Sequence, residues 1–224
     1  MGPACVLVLA RYPTPGQAKT RLIPALGPAG AAHLYQRLAE GMIAQVRAMD
    51  AAVDIALWYC GASEAAMRTW LGDGLIYCSQ PEGDLGYRLT TAVDWAFAQG
   101  YGIVLVSGTD CPGLDAALLN QSLATLANGA DLVLGPAQDG GYYLLGLTAP
   151  QPELFQDIAW STSAVLAQTV AQAQRLHLTP TYLPTLTDID TPEDLAHLPS
   201  SLRPSSPSGP NLPSSVSTDP CPGP

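Results

Sequence analysis

The chain has 224 residues, with 19 Asp and Glu against 9 Lys and Arg and a net charge of −10. So acidic a surface has too little positive charge to neutralise a run of phosphates, which excludes nucleic acid and anionic membranes as general partners. Charged residues make up only 12% of the chain, roughly half the usual fraction. Arg11, Lys19, Arg21 and Arg37 all precede the first acidic residue, Glu40, and Lys19 is the only lysine. One small anionic ligand near the N-terminus is still allowed.

The length and an apolar fraction of 47% suit one globular domain over residues 1–198. From 199 to 224 Pro and Ser dominate without apolar periodicity, which predicts a disordered tail. Residues 3–10 are apolar but fall short of the roughly 20 needed for a membrane span, and they lack the basic start and cleavage site of a signal peptide. A cytoplasmic protein without membrane insertion is expected. Cys5, Cys60, Cys78, Cys111 and Cys221 are scattered and form no CxxC pair, so reduced thiols are expected rather than a disulfide framework or a zinc site.

In chain order, short runs rich in Val, Ile and Leu predict strands at 5–10, 53–59, 75–78, 103–107, 132–134, 142–147 and 181–183. Segments of helical period lie between them at 29–49, 63–71, 85–99, 115–127 and 163–175. This alternation predicts a single Rossmann-like α/β domain with a mostly parallel central sheet and helices on both faces. Such sheets bind ligands outside the carboxyl ends of their strands, which directs attention to Arg11 and Asp110.

The stretch ARYPTPGQAKTRL, residues 10–22, follows the first strand. Its prolines and Gly16 predict an irregular loop with amides open to a ligand, and an extended course would place Lys19 and Arg21 on one side to grip a diphosphate. A solvated loop with ordinary surface charges is the alternative. QPEGDLGYRL, residues 80–89, turns at Gly83 into a helix carrying Gly86 and Arg88; Asp84 there is either the helix cap or a contact to a nucleobase or ribose. In VLVSGTDCPGL, residues 104–114, a strand ends just before Asp110, which suits a cation held against phosphates unless Asp110 caps the next helix.

GPAQDGGYYLLGL, residues 135–147, reads either as a plain hairpin or as a site in which Gly140 and Gly141 admit a ligand beside Asp139. That carboxylate could orient or deprotonate an acceptor hydroxyl. Trp160 precedes the next helix and reads first as part of a cap, then as an acceptor-site wall. In DIDTPEDL, residues 188–195, Thr191 and Asp194 predict a helix start, with Pro192 at its first position. Asp188 and Asp190 are left over, and either could complete the metal shell that Asp110 begins.

PxPGxxKTRL, QxxGDLGxRL, GTDCP, GPAxDGGYYLLGL, WST and DIDTPEDL occur in this order over residues 12–195. Together they resemble a bacterial family of small glycosyltransferase-like proteins, once known only as a domain of unknown function and partly linked to arsenosugar biosynthesis. The resemblance implies the GT-A nucleotide-diphospho-sugar transferase fold and Mg²⁺ or Mn²⁺ as cofactor. It implies phosphate contacts from residues comparable to Lys19 and Arg21; beside them, the loop and turn readings make Arg11, Gly16, Gly83, Asp84, Gly86 and Arg88 expected nucleotide or phosphate contacts. It also implies metal ligation by Asp110 and Asp190, with Asp190 preferred to Asp188 by position. The expected activity is sugar transfer from a nucleotide-diphosphate sugar to a small acceptor, with Asp139, Lys19 and Arg21 as catalytic residues and Gly140, Gly141 and Trp160 around the acceptor. Because no DxD triplet follows the fourth strand, two alternatives stand beside it. One is nucleotidyl transfer from an NTP to a phosphorylated small molecule; the other is nucleotide binding without catalysis.

Overall fold

The computed structural model describes residues 2–202, where seven strands form one sheet in the order β3-β2-β1-β4-β6-β5-β7. The strands are β1 (Ala4–Arg11), β2 (Val53–Cys60), β3 (Ile76–Ser79), β4 (Ile103–Ser107), β5 (Leu132–Pro136), β6 (Tyr142–Leu147) and β7 (Pro180–Tyr182). The α-helices are α1 (Ile23–Arg47), α2 (Glu64–Leu71), α3 (Leu85–Ala98), α4 (Ala116–Ala127) and α5 (Val165–Arg175). No helix among the described residues is long and apolar enough to cross a membrane.

β1 lies inside the sheet, parallel to β2 and β4, with Val6 paired to Ile55 on one side and Leu105 on the other. Cys5, Val6, Leu7 and Val8 are all wholly buried. That explains a run that is apolar at every position: both faces of the strand are covered. Alternate residues serve opposite layers. Val6, Leu57 and Leu105 pack with Ile43, Met67 and Leu123 of α1, α2 and α4. Leu7, Trp58 and Val106 pack with Leu89, Val93 and Ala173 of α3 and α5. Each buried Leu, Ile or Val contributes roughly 1.5–3 kcal/mol, so these two layers supply most of the driving force for folding.

One strand reverses. β6 is antiparallel to both β4 and β5, because the turn after Pro136 returns the chain at once, without the crossover that a parallel neighbour requires. The predicted parallel character holds elsewhere in the sheet. α1 also differs at its start. Gly27, at φ 69°, separates a first turn from Ile23 onward from the long helix, and Pro28 then begins that helix where its missing N–H is harmless.

Residues 199–202, assigned to the tail by composition, continue the fold. Ser200–Leu202 is a 3-10 turn, and Leu202 packs with Leu198 against Leu34 and Leu38 of α1. The remainder of the expected tail, 203–224, lies outside the described residues.

Candidate functional site

Lys19 has φ 49° and ψ 49°, a left-handed conformation rare for a residue with a side chain, and it opens a 3-10 turn at Thr20–Leu22. The loop is therefore coiled here, not extended as predicted, because the turn drives Leu22 into a wholly buried position. The two cationic side chains still converge. Lys19 Nζ lies 3.0 Å from Asp110 Oδ2 and 3.3 Å from Asp190 Oδ1, and Arg21 Nη1 lies 2.6 Å from Asp190 Oδ2.

The Lys19 side chain is only 3% exposed, against 45% for Asp110 and 34% for Asp190. The expected ligand-facing lysine is thus a covered one, and a covered ammonium requires paired carboxylates. Burial by itself would pull the Lys19 pKa down; Asp110 and Asp190 outweigh it and hold the group above the ordinary lysine value. Lys19 accordingly stays protonated.

Backbone pairing brings the distant acidic segments together. The Ile189 amide donates to the Asp110 carbonyl at 2.8 Å, and Cys111 Sγ donates to the Thr187 carbonyl at 3.5 Å. Ile189 is wholly buried with Leu22, Leu34 and Leu38. Its neighbours flank the anchor: Asp190 meets Lys19 and Arg21, while Asp188 lies within the electrostatic reach of Asp139, Lys19 and Asp110. Burial first, and then the Asp139 charge, raise the Asp188 pKa above the usual carboxylate value. Asp194 Oδ2 accepts from the Asp190 amide at 3.1 Å, the Thr191 amide at 2.7 Å and the Thr191 hydroxyl at 2.9 Å. The predicted cap is present, and it steadies Asp190 directly.

The capping alternative for Asp110 is ruled out, because Asp115 caps α4 by accepting from the Leu118 amide at 2.9 Å. Tyr35, which lies in none of the motifs, and Thr109 of GTDCP orient the strand ends instead. Tyr35 Oη accepts from the Arg11 amide at 2.8 Å, and the Thr109 hydroxyl lies 3.3 Å from both Tyr35 Oη and Asp110 Oδ1. Burial pushes the Tyr35 phenol well above its ordinary pKa, so it stays neutral. On the sequence Tyr35 is one more apolar-face residue of a helix, and only tertiary contact distinguishes it.

The second motif occupies the adjoining edge. Asp84 caps α3, accepting from the Tyr87 amide at 2.8 Å. Arg88 is 7% exposed, and its Nη1 lies 3.4 Å from Gln80 Oε1. Gln80 Nε2 donates in turn to the carbonyls of Trp58 at 2.8 Å and Ala10 at 3.3 Å. The buried guanidinium is thereby tied to the carboxyl ends of β1 and β2, through the glutamine that opens the second motif. A Cβ on Gly83 would lie 2.8 Å from the Tyr87 ring, whereas Gly16 turns, at φ 81°, over open space.

Gly86 and Trp160 are packed on each other. A Cβ at Gly86 would lie 2.7 Å from both Trp160 Nε1 and the Phe155 carbonyl oxygen. Gly140, at φ 91°, makes room for the Ser163 backbone, and its carbonyl accepts from the Leu166 amide at 2.9 Å. Asp139 Oδ1 accepts from the Gly141 amide at 2.7 Å. The hairpin reading of this segment is therefore present, with Gly140 joining the β5–β6 turn to the start of α5. Asp139 remains exposed.

Residues 42–162 match the bacterial family described as "Uncharacterized protein conserved in bacteria (DUF2064)". The chain belongs to this family. The matched segment contains Asp84, Arg88, Asp110 and Asp139. A crystal structure from Desulfovibrio desulfuricans G20, named "putative nucleotide-diphospho-sugar transferase", is similar at 33% identity and a TM-score of 0.79, over 85% of this chain and 84% of that one. CMP:2-keto-3-deoxy-manno-octonic acid synthetase complexed with CTP shares the fold at 8% identity and a TM-score of 0.55, over 87% and 96% of the two chains. So does 4-diphosphocytidyl-2C-methyl-D-erythritol synthase from Anaerococcus prevotii DSM 20548, at 9% identity and a TM-score of 0.54, over 87% and 94%. No curated protein matches the chain.

In this DUF2064 protein no group of three or more His, Cys, Asp or Glu side chains is arranged to hold a metal among the described residues. The donor chemistry nevertheless suits Mg²⁺ or Mn²⁺, which take one or two protein carboxylates and complete their shell with phosphate oxygens and water. Asp110 and Asp190 already converge on one positive charge, the Lys19 ammonium.

Proposed function

We propose that this DUF2064 protein is a metal-dependent transferase that takes a nucleotide-diphosphate sugar as donor and a small molecule as acceptor. One observation carries the reading: Lys19, Arg21, Asp110 and Asp190 meet at the carboxyl ends of β1 and β4, where open α/β sheets bind ligands. The similarity to a chain named as a transferase of this kind supports it.

In this reading Lys19 and Arg21 take the diphosphate, Lys as a point charge and Arg as a fork. Arg11 and the open turn at Gly16 border the phosphates, and Gly83, Asp84, Gly86 and Arg88 border the nucleoside. Mg²⁺ or Mn²⁺ held by Asp110 and Asp190 would supply charge neutralisation at the diphosphate. Asp139 takes the proton of the acceptor hydroxyl as that oxygen bonds to the anomeric carbon. The bond from that carbon to the diphosphate oxygen breaks, and the nucleoside diphosphate leaves with the electron pair. Gly140, Gly141 and Trp160 form the acceptor side. Stabilising the leaving charge is the main catalytic effect, and losing one such contact typically lowers turnover roughly 10²-fold or more.

A second reading is nucleotidyl transfer, in which an acceptor phosphate attacks the α-phosphate of an NTP and pyrophosphate leaves. It is favoured by the single strand-end carboxylate, since Asp110 is followed by Cys111 and Pro112 rather than by a second acid. Incubation with Mg²⁺ or Mn²⁺ and a panel of NDP-sugars and NTPs separates the two. Released NDP supports sugar transfer and released pyrophosphate replaces it by nucleotidyl transfer. Neither product, with nucleotide still bound, leaves a binding protein.

A further inference from the structure

We propose that Lys19 and a divalent cation are alternative occupants of one seat between Asp110 and Asp190, so that the cation enters only as Lys19 leaves. The substrate diphosphate is what draws Lys19 out; that last clause rests on the transferase reading above, whereas the exchange itself does not.

Lys19 Nζ lies within 3.3 Å of one oxygen of each carboxylate, the two groups that would hold the cation. Its side chain is almost wholly covered, so ammonium and cation on the same two oxygens would be like charges without intervening water. Joint occupancy is strongly disfavoured. The neighbouring charges make the exchange reciprocal. With Lys19 withdrawn, Arg21 still pairs with Asp190, but no other ion pair among the described residues reaches Asp110 or Asp188. A cation restores the balance. Lys19 has the means to move, a long flexible stem that ends in one ammonium.

The test uses Mn²⁺ alone, without nucleotide, on the full chain. Lys19→Met keeps the stem and removes the charge; it should bind one Mn²⁺ roughly tenfold or more tightly than wild type, and adding Asp110→Asn should abolish the gain. Equal or weaker Mn²⁺ binding by folded Lys19→Met overturns the exchange. Should that variant fail to fold, wild type carries the test, because Lys19 is the only lysine and lysine labelling yields one NMR signal. With nucleotide and Mg²⁺ bound, as verified by calorimetry, that signal should move from its ion-paired position, and an unmoved signal overturns the proposal. Absence of any nucleotide binding instead defeats the transferase reading. In that case the wild-type lysine signal is followed at saturating Mg²⁺ alone, where movement supports the exchange and an unmoved signal overturns it.

Discussion

The amide of Ile189 donates to the carbonyl of Asp110 across 2.8 Å, joining the end of the sheet to a segment close to the last described residues. Ile189 is itself wholly buried against α1. Its side chain is therefore the anchor from which Asp188 and Asp190 reach the site, and its effect on binding should be separable from its effect on stability.

Ile189→Ala is expected to lower stability by about 2–5 kcal/mol, through lost burial and a residual cavity. Leu119→Ala, wholly buried against the sheet in another cluster, should lower it comparably. Only the first should also weaken nucleotide binding. Denaturant titration with calorimetry on both variants checks this, and equal losses of affinity would remove the positioning role of Ile189.

Asp110→Asn preserves shape and removes the charge shared with Lys19. Turnover should fall roughly 10²-fold or more, and the response to Mg²⁺ or Mn²⁺ should vanish. Steady-state assays over a metal titration decide it; unchanged activity and metal response refute the assignment.

Asp84 caps α3, and one pair of variants can separate that role from the proposed contact with the nucleoside. Asp84→Ala should reduce stability by about 1 kcal/mol through loss of the α3 cap, and Asp84→Ser should restore it. Both should weaken nucleotide binding if the carboxylate also reaches the nucleoside. Undiminished affinity in Asp84→Ser would confine the residue to capping.

Gly86→Ala introduces a Cβ where the Phe155 carbonyl and the Trp160 indole already sit. A loss of about 1–3 kcal/mol is expected from overpacking, together with a shift in tryptophan emission. Native-like melting and emission would show that the contact yields easily.

Burial pushes the Cys5 thiol up to about 12 from 9.0, so the folded state keeps a proton that the unfolded chain releases. The resulting stability is complete below about pH 9 and is lost as pH rises toward about 12. Cys5→Ala should flatten this alkaline decline, with Lys19 and the buried tyrosines supplying what remains. Denaturation midpoints across the alkaline range test it, and an undiminished slope would show that Cys5 is not its source.

Much of the fold was legible because each strand is a short apolar run ended by turn residues; β4 and β6 coincide with their predicted spans. The reversal at β6 follows from a turn whose Asp-Gly signal was visible. The site was legible in part. Asp110 was marked by its place after a strand, and Thr191 and Asp194 by capping chemistry. The burial of Lys19 was not, since it depends on Asp190, 171 positions away, and on a left-handed backbone that no local pattern requires. Tyr35 escaped for a related reason, as did the role of Gln80 within its motif: each acts by tying strand ends together, and pairwise contacts of that kind leave no period in the sequence.

The order in which the chain leaves the ribosome gives the Ile189 anchor a consequence for assembly. β1, β2 and β4 can pair, and Lys19 can approach Asp110, well before Asp190 is translated. Until then the ammonium has only one of its two carboxylates, and Leu22 and Leu34 lack the isoleucine that covers them. The end of the sheet that carries the candidate site is thus among the last of the described parts to close, and a nascent chain with a nearly complete sheet would still lack the Lys19–Asp190 pair.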